Sequence, residues 1–144
     1  MNITYSDTIK NLPNDQLYHL FELAGWVIDS AKSNLSDNFI QENFNNPFIN
    51  STLVISAWEN ERLVGAVRVL SDKIIRSTIY DLVVDPEYQN NGIGAELIKR
   101  CISHFPNSEW LLQTTKETTP YYEKIGFKIY ADVVMSIPSI YMGN

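Results

Sequence analysis

Apolar residues return every three or four positions at Leu17, Leu20, Phe21, Ala24, Val27, Ile28 and Ala31, the spacing that lines one face of an α-helix. Pro13 and Asn14 mark its start, and Ile3 to Tyr5 ahead of them read as a short strand. A weaker helical pattern runs from Asp37 to Phe44 and is interrupted by Asn45, Asn46 and Pro47, because proline cannot continue a helix. From Thr52 the character becomes β. The stretches Thr52 to Trp58, Arg62 to Leu70 and Ile74 to Val84 are rich in Val and Ile and are divided by short polar turns, Glu59 to Glu61 and Ser71 to Lys73. Such close spacing predicts an antiparallel meander.

The third of these strands ends at Asp85 and Pro86. A second helical stripe follows at Ile93, Leu97, Ile98, Cys101, Ile102 and Phe105, closed by Pro106 and Asn107. Trp110 to Thr114 reads as a strand, so the helix before it can cross over between parallel neighbours. Thr119 to Lys124 reads as a short helix, and Phe127 to Ile137 as one or two final strands. The expected order is β-α-α-β-β-β-α-β-α-β, a mixed α/β (α+β) sheet with helices on its faces.

Composition narrows the class. The 144 residues carry no repeat, low-complexity tract or Pro/Gly/Ser-rich linker, so one domain over 1–144 is expected. With 44% hydrophobic and 19% charged residues the chain suits a globular protein. No apolar run is long enough to span a bilayer, and Met1 to Asp7 lack the basic-then-apolar order of a signal peptide, so a cytoplasmic location is expected. One cysteine, Cys101, excludes an internal disulfide framework and argues against a cysteine-rich zinc site; no metal is expected. A net charge of −6 opposes broad binding to nucleic acid or anionic membrane and favours a cationic substrate.

The chemistry concentrates in the stretch Asp85 to Ala95, where Gly92 and Gly94 join a strand to a helix. A backbone without Cβ turns sharply and lets a phosphate approach its amides, and the helix that begins there aims its free N–H groups at the same place. There is no GxxxxGK[ST], which excludes a P-loop, and no third glycine after Gly94, which excludes the dinucleotide GxGxxG pattern. Alone, the glycine pair reads equally as a tight turn with close helix packing.

Two motifs shift that balance. Gln89, Gly92 and Gly94 match the pattern Q/R-x-x-G-x-G/A, and Tyr121-Tyr122-Glu123-Lys124-Ile125-Gly126-Phe127 is similar to FYEKLGF. In this order, on these elements, the chain resembles the Gcn5-related N-acetyltransferases (GNAT), over most of its length; the first fifty residues match in pattern only. The resemblance implies an enzyme that binds acetyl-CoA and passes the acetyl group directly to an amine. It implies that Gln89, Asn90, Asn91, Gly92, Ile93, Gly94 and Ala95 hold the CoA diphosphate. It also implies that the strand with Leu82, Val83 and Val84 bears a β-bulge, splays from the fifth strand and bonds the pantetheine arm.

Tyr122 aligns with the family tyrosine that protonates the CoA sulfur; without the motif it reads as a core aromatic. Thr78 stands where histone-modifying members carry a glutamate, so Asp81 has two readings, a proton acceptor for the amine or a carboxylate bracing the bulge, and a water chain to solvent would also serve as the base. Thr115 replaces a frequent family asparagine. The loop has Asn90 and Asn91 where the family often has Arg or Lys. Lys99, Arg100 and Lys116 are candidates for the 3′-phosphate, and Trp26 for a wall of the acceptor pocket. His19 and His104 read as solvated surface, and Cys101 as buried and inert. The acceptor reads first as a small cationic amine, with a protein lysine or amino terminus as the alternative. A non-catalytic acyl-CoA sensor is the rival from another class. Ile137, Ile140, Tyr141 and Met142 form an apolar end that would suit a homodimer.

Overall fold

The structure is a computed structural model that describes residues 1–25, 37–130 and 132–139. Trp26, Val27, Ile28, Ala31, Ile140, Tyr141 and Met142 lie outside the described residues, and with them the acceptor-pocket wall and most of the apolar end.

The elements are β1 (Ile3–Ser6), α1 (Asn14–Leu23), α2 (Asp37–Asn43), α3 (Asn46–Ile49), β2 (Leu53–Glu59), β3 (Arg62–Ser71), β4 (Arg76–Val84), α4 (Ile93–His104), β5 (Glu109–Leu112) and α5 (Thr119–Ile125). Short 3₁₀ turns, Pro86–Tyr88 and Lys116–Thr118, precede α4 and α5. One five-stranded sheet runs β1-β2-β3-β4-β5. The first four strands pair antiparallel, and β5 joins β4 in parallel, as the crossover through α4 requires.

Alternation along the strands divides the core into two layers. Ile55, Ala57, Val67, Val69 and Ile79 face α4, whose Ile93, Leu97, Ile98 and Cys101 are all buried. Val54, Leu63, Ala66 and Val83 face Leu17, Leu20 and Phe21 of α1 and Phe48 of α3. Gly65 of β3 lets α4 lie close to the sheet: a Cβ there would stand 3.2 Å from Leu97 Cδ1 and 3.3 Å from Ile93 Cγ2.

Four local readings need correction. Pro47 stops α2 but also occupies the first turn of the extra helix α3, where its missing N–H costs nothing. β4 starts at Arg76 rather than Ile74. Asp72 Oδ1 accepts from the N–H groups of Ile74, Ile75 and Arg76 at 2.8, 2.7 and 3.1 Å, which folds that stretch into a turn. β5 stops at Leu112, short of Thr114, where its pairing with β4 ends opposite Ile79. The strands expected from Phe127 to Ile137 do not form among the described residues, and Ile129, Val133, Met135 and Ile137 are 74, 84, 89 and 97% exposed. Alternating apolar residues specify a face, but a strand also needs a paired edge, and this segment makes no ladder with β5.

Candidate active site

The site grows from the parting of two parallel strands. β5 pairs with β4 only through Arg76 to Ile79, opposite Glu109 to Leu112. Among the described residues Tyr80 to Val84 continue without a strand on that side, which leaves main-chain donors and acceptors open to a cleft. On its other side β4 carries a bulge: Arg68 faces Asp81 and Val69 faces Ile79, so Tyr80 is the extra residue. Arg68 Nε ion-pairs with Asp81 Oδ2, and its guanidinium lies 5.3 Å from the Tyr80 ring centroid. Asp81 Oδ1 has no protein partner among the described residues.

Asp85 ends the strand and anchors the loop. Its carboxylate is buried, receives Arg62 Nη2 at 2.7 Å, and accepts from the Glu87 amide at 2.9 Å, capping the turn Pro86–Tyr88. The carboxylate in turn holds the Arg62 guanidinium protonated above its ordinary range. Tyr88 is buried beneath Arg62 and donates to Glu59 Oε1 at 2.7 Å. Neither sequence motif encodes this framework, although an aspartate before a proline at a strand end is a readable capping signal.

Asn90 (φ 67°) and Gly92 (φ 77°) then take left-handed conformations, tolerable for asparagine and ordinary for glycine. Asn91 Nδ2 donates to the carbonyls of Tyr88 and Gln89, both at 3.1 Å, and so braces the turn from within. Gly92 is the residue before α4, and no side chain caps that helix. The first N–H groups of α4 are therefore unspent, with the positive end of the helix behind them.

These parts bound a cleft of about 380 Å³. Leu82 and Val84 form one wall; Gln89, Asn90 and Gly92 with Ile93, Gly94 and Ala95 form the floor, and Thr118 and Tyr121 stand opposite. Gln89 Nε2 donates to the Val84 carbonyl at 3.2 Å, so side chain and strand meet at the mouth. An anion at the helix end and an extended polar chain along β4 is what this arrangement can hold.

Five expected residues do not line the cleft: Asp81 stays at the bulge with Arg68, Asn91 braces the turn from within, and Val83, Thr115 and Tyr122 sit elsewhere. The Val83 side chain is buried in the opposite layer, against α1, as strand alternation demands. Thr115 is exposed and turned to Thr118, accepting its N–H at 3.2 Å, and it is Thr118 that reaches the cleft. Tyr122 does not line this cleft. It borders a neighbouring space of about 570 Å³ beside Trp110, Leu112 and Thr114, packs against Phe127, and leaves the cleft to Tyr121. Burial first, and then the neighbouring Tyr121, push the Tyr122 phenol up, partly opposed by a hydrogen bond with Thr114. Of the candidate cations, Arg100 is occupied by Glu96 at 3.0 Å and by the face of Tyr5 at 4.4 Å. His104 contacts Asp7 at 3.1 Å and His19 contacts Glu22 at 3.7 Å, both near the surface. Cys101 is buried, and burial pushes its thiol up to about 12.

The family model described as "Acetyltransferase (GNAT) domain" matches residues 23–134. The chain belongs to the GNAT acetyltransferase family. The domain is thus an acyl-CoA-dependent acetyltransferase. It is 28% identical over 126 residues to the uncharacterized N-acetyltransferase ycf52 of Pyropia yezoensis, covering 85% of this chain and 69% of that protein. Its fold is shared with the GNAT family protein SP0256 of Streptococcus pneumoniae (TM-score 0.76, 24% identity, 96% of this chain and 98% of that one). It is shared too with the PaiA N-acetyltransferase of Thermoplasma acidophilum in complex with coenzyme A (TM-score 0.66, 15% identity, 92% and 94% covered). A GNAT domain uses acetyl-CoA, and the cleft fits that role: its donors are main-chain amides at an uncapped helix end, beside an open strand edge.

Proposed function

We propose that this GNAT domain moves the acetyl group from acetyl-CoA straight to the primary amine of a small cationic metabolite. The observation that carries the reading is the open edge of β4 from Tyr80 to Val84, which leads directly to the uncapped amides of α4. A pantetheine arm pairs with that edge while the diphosphate rests on the loop, and one of the Leu82 or Val84 amides faces the thioester oxygen as charge develops on it.

The amine nitrogen attacks the thioester carbon and the C–S bond breaks. The ammonium proton leaves through Asp81 Oδ1 or water, and the thiolate takes a proton from Tyr122. A phenol pushed up by burial stays protonated at neutral pH, which suits a donor. In the described structure that hydroxyl sits by Thr114, just past the end of β5, so a modest rotation toward the parting of β4 and β5 accompanies acetyl-CoA binding in this scheme.

The net charge of −6 supports a cationic acceptor such as a polyamine, an aminoglycoside or a lysine-like amine. Release of free CoA, followed with a thiol reagent over a panel of such amines and lysine-bearing peptides, tests the proposal. Turnover on small cations above that on peptides is expected. Turnover on peptides alone assigns a protein acceptor, and tight acetyl-CoA binding with no turnover on any amine assigns a sensor.

A further inference from the structure

Tyr121 occupies the cleft in a way that neither its motif position nor the chemistry above requires. A Cβ placed on Gly94 would lie 2.6 Å from the Tyr121 hydroxyl, 3.7 Å from its Cζ and 3.8 Å from Val84 Cγ2. The phenol tip therefore stands against the first turn of α4, between the loop amides and the β4 edge. The ring is fixed by an edge contact with Tyr122, with centroids 5.1 Å apart and planes at 84°. The hydroxyl has no hydrogen-bond partner among the described residues. Burial pushes it up from its ordinary value, so it remains a proton-bearing donor.

Gly94 lies inside α4, where its helical backbone would accept alanine without strain. What a side chain at this position would displace is the Tyr121 hydroxyl, so the glycine leaves room for that phenol as well as for a phosphate.

We propose that Tyr121 is a coenzyme-positioning residue, its hydroxyl donating to CoA where the diphosphate gives way to pantetheine, with Gly94 as the space that admits it. The inference rests on the acetyl-CoA reading of the cleft. The phenol stands against the first turn of α4, where the diphosphate rests, so it acts on binding rather than on the proton transfers. Glycine and tyrosine form one unit: alanine at 94 collides with the hydroxyl, and phenylalanine at 121 removes the collision, since the ring carbon already sits at ordinary contact distance.

Calorimetry with CoA and steady-state kinetics on Tyr121→Phe, Gly94→Ala and the double variant test this, with circular dichroism to confirm folding. Tyr121→Phe should weaken CoA and raise the acetyl-CoA KM by roughly fivefold to tenfold, leaving kcat within about twofold. Gly94→Ala should bind CoA more weakly than Tyr121→Phe, and the double variant should recover to the level of Tyr121→Phe alone. Adenosine 3′,5′-bisphosphate, which lacks diphosphate and pantetheine, should bind all forms alike. Unchanged CoA affinity in Tyr121→Phe, a loss confined to kcat, or Gly94→Ala and Tyr121→Phe effects that simply multiply would each overturn the proposal. A wild-type protein that binds no CoA would instead overturn the cleft assignment beneath it.

Discussion

Replacing Asp81 by asparagine separates the two roles open to that carboxylate. The Arg68–Asp81 side chains are 18% and 25% exposed, between a surface pair and a fully enclosed one. Surface pairs contribute about 0–1 kcal/mol and broken buried pairs cost about 3–5, while the asparagine carbonyl can still accept from Arg68 Nε; a loss of about 1.5 kcal/mol follows. For a domain of this size that is a fall in Tm of about 5 °C. If Asp81 Oδ1 also meets the amine, kcat/KM for the amine falls by at least about 100-fold, the lower range for a proton acceptor, with acetyl-CoA KM unchanged. Arg68→Gln, which keeps the carboxylate, should lose comparable stability but hold kcat/KM within about tenfold. Urea melts supply the first quantity and initial rates well below Tm the second. An Asp81→Asn protein that is less stable yet within about threefold of wild-type kcat/KM would refute the catalytic role and leave Asp81 as the brace of the Tyr80 bulge.

Tyr122→Phe should lower kcat by at least about tenfold while keeping the fold. Because burial raises this phenol above the ordinary 10.0, no fall in kcat belonging to Tyr122 should occur below pH 10; a descending limb there that vanishes in Tyr122→Phe would contradict the assignment. Cys101, buried and pushed up to about 12, should resist iodoacetamide at pH 8 until denaturant is added, as mass spectrometry would show. Gly65→Val pushes methyl groups into Leu97 and Ile93, already 3.2 and 3.3 Å from a Cβ there, and should cost about 1–3 kcal/mol in a denaturant melt. CoA affinity should fall only modestly between low and high salt, since Gln89 to Ala95 carry no cation; a steep loss in a titration would count against amide binding.

Much of this architecture was legible in the order of residues. Ile93, Leu97, Ile98 and Cys101 of the α4 stripe are buried as their spacing implies, and the glycine-bearing loop joins a strand to a helix as its composition predicts. Other features depend on pairing or orientation that local pattern does not encode. Tyr121 and Tyr122 are consecutive on a helix, about 100° apart around its axis, so the packing of α5 on β5 decides which faces the cleft. The exclusion of Val83 was available from strand alternation. The shortening of β4 by Asp72 and the absence of a ladder among the described residues after Phe127 were not, since each turns on which partners the backbone finds.

The central claim is that the amides at the start of α4 grip the CoA diphosphate. Titrating ¹⁵N-labelled protein with CoA and following backbone amide resonances tests it residue by residue. Saturable shifts should be largest at Gly92, Ile93, Gly94 and Ala95, with further changes at Leu82 and Val84. Binding that leaves those four amides unmoved, or no binding at all, would contradict the account.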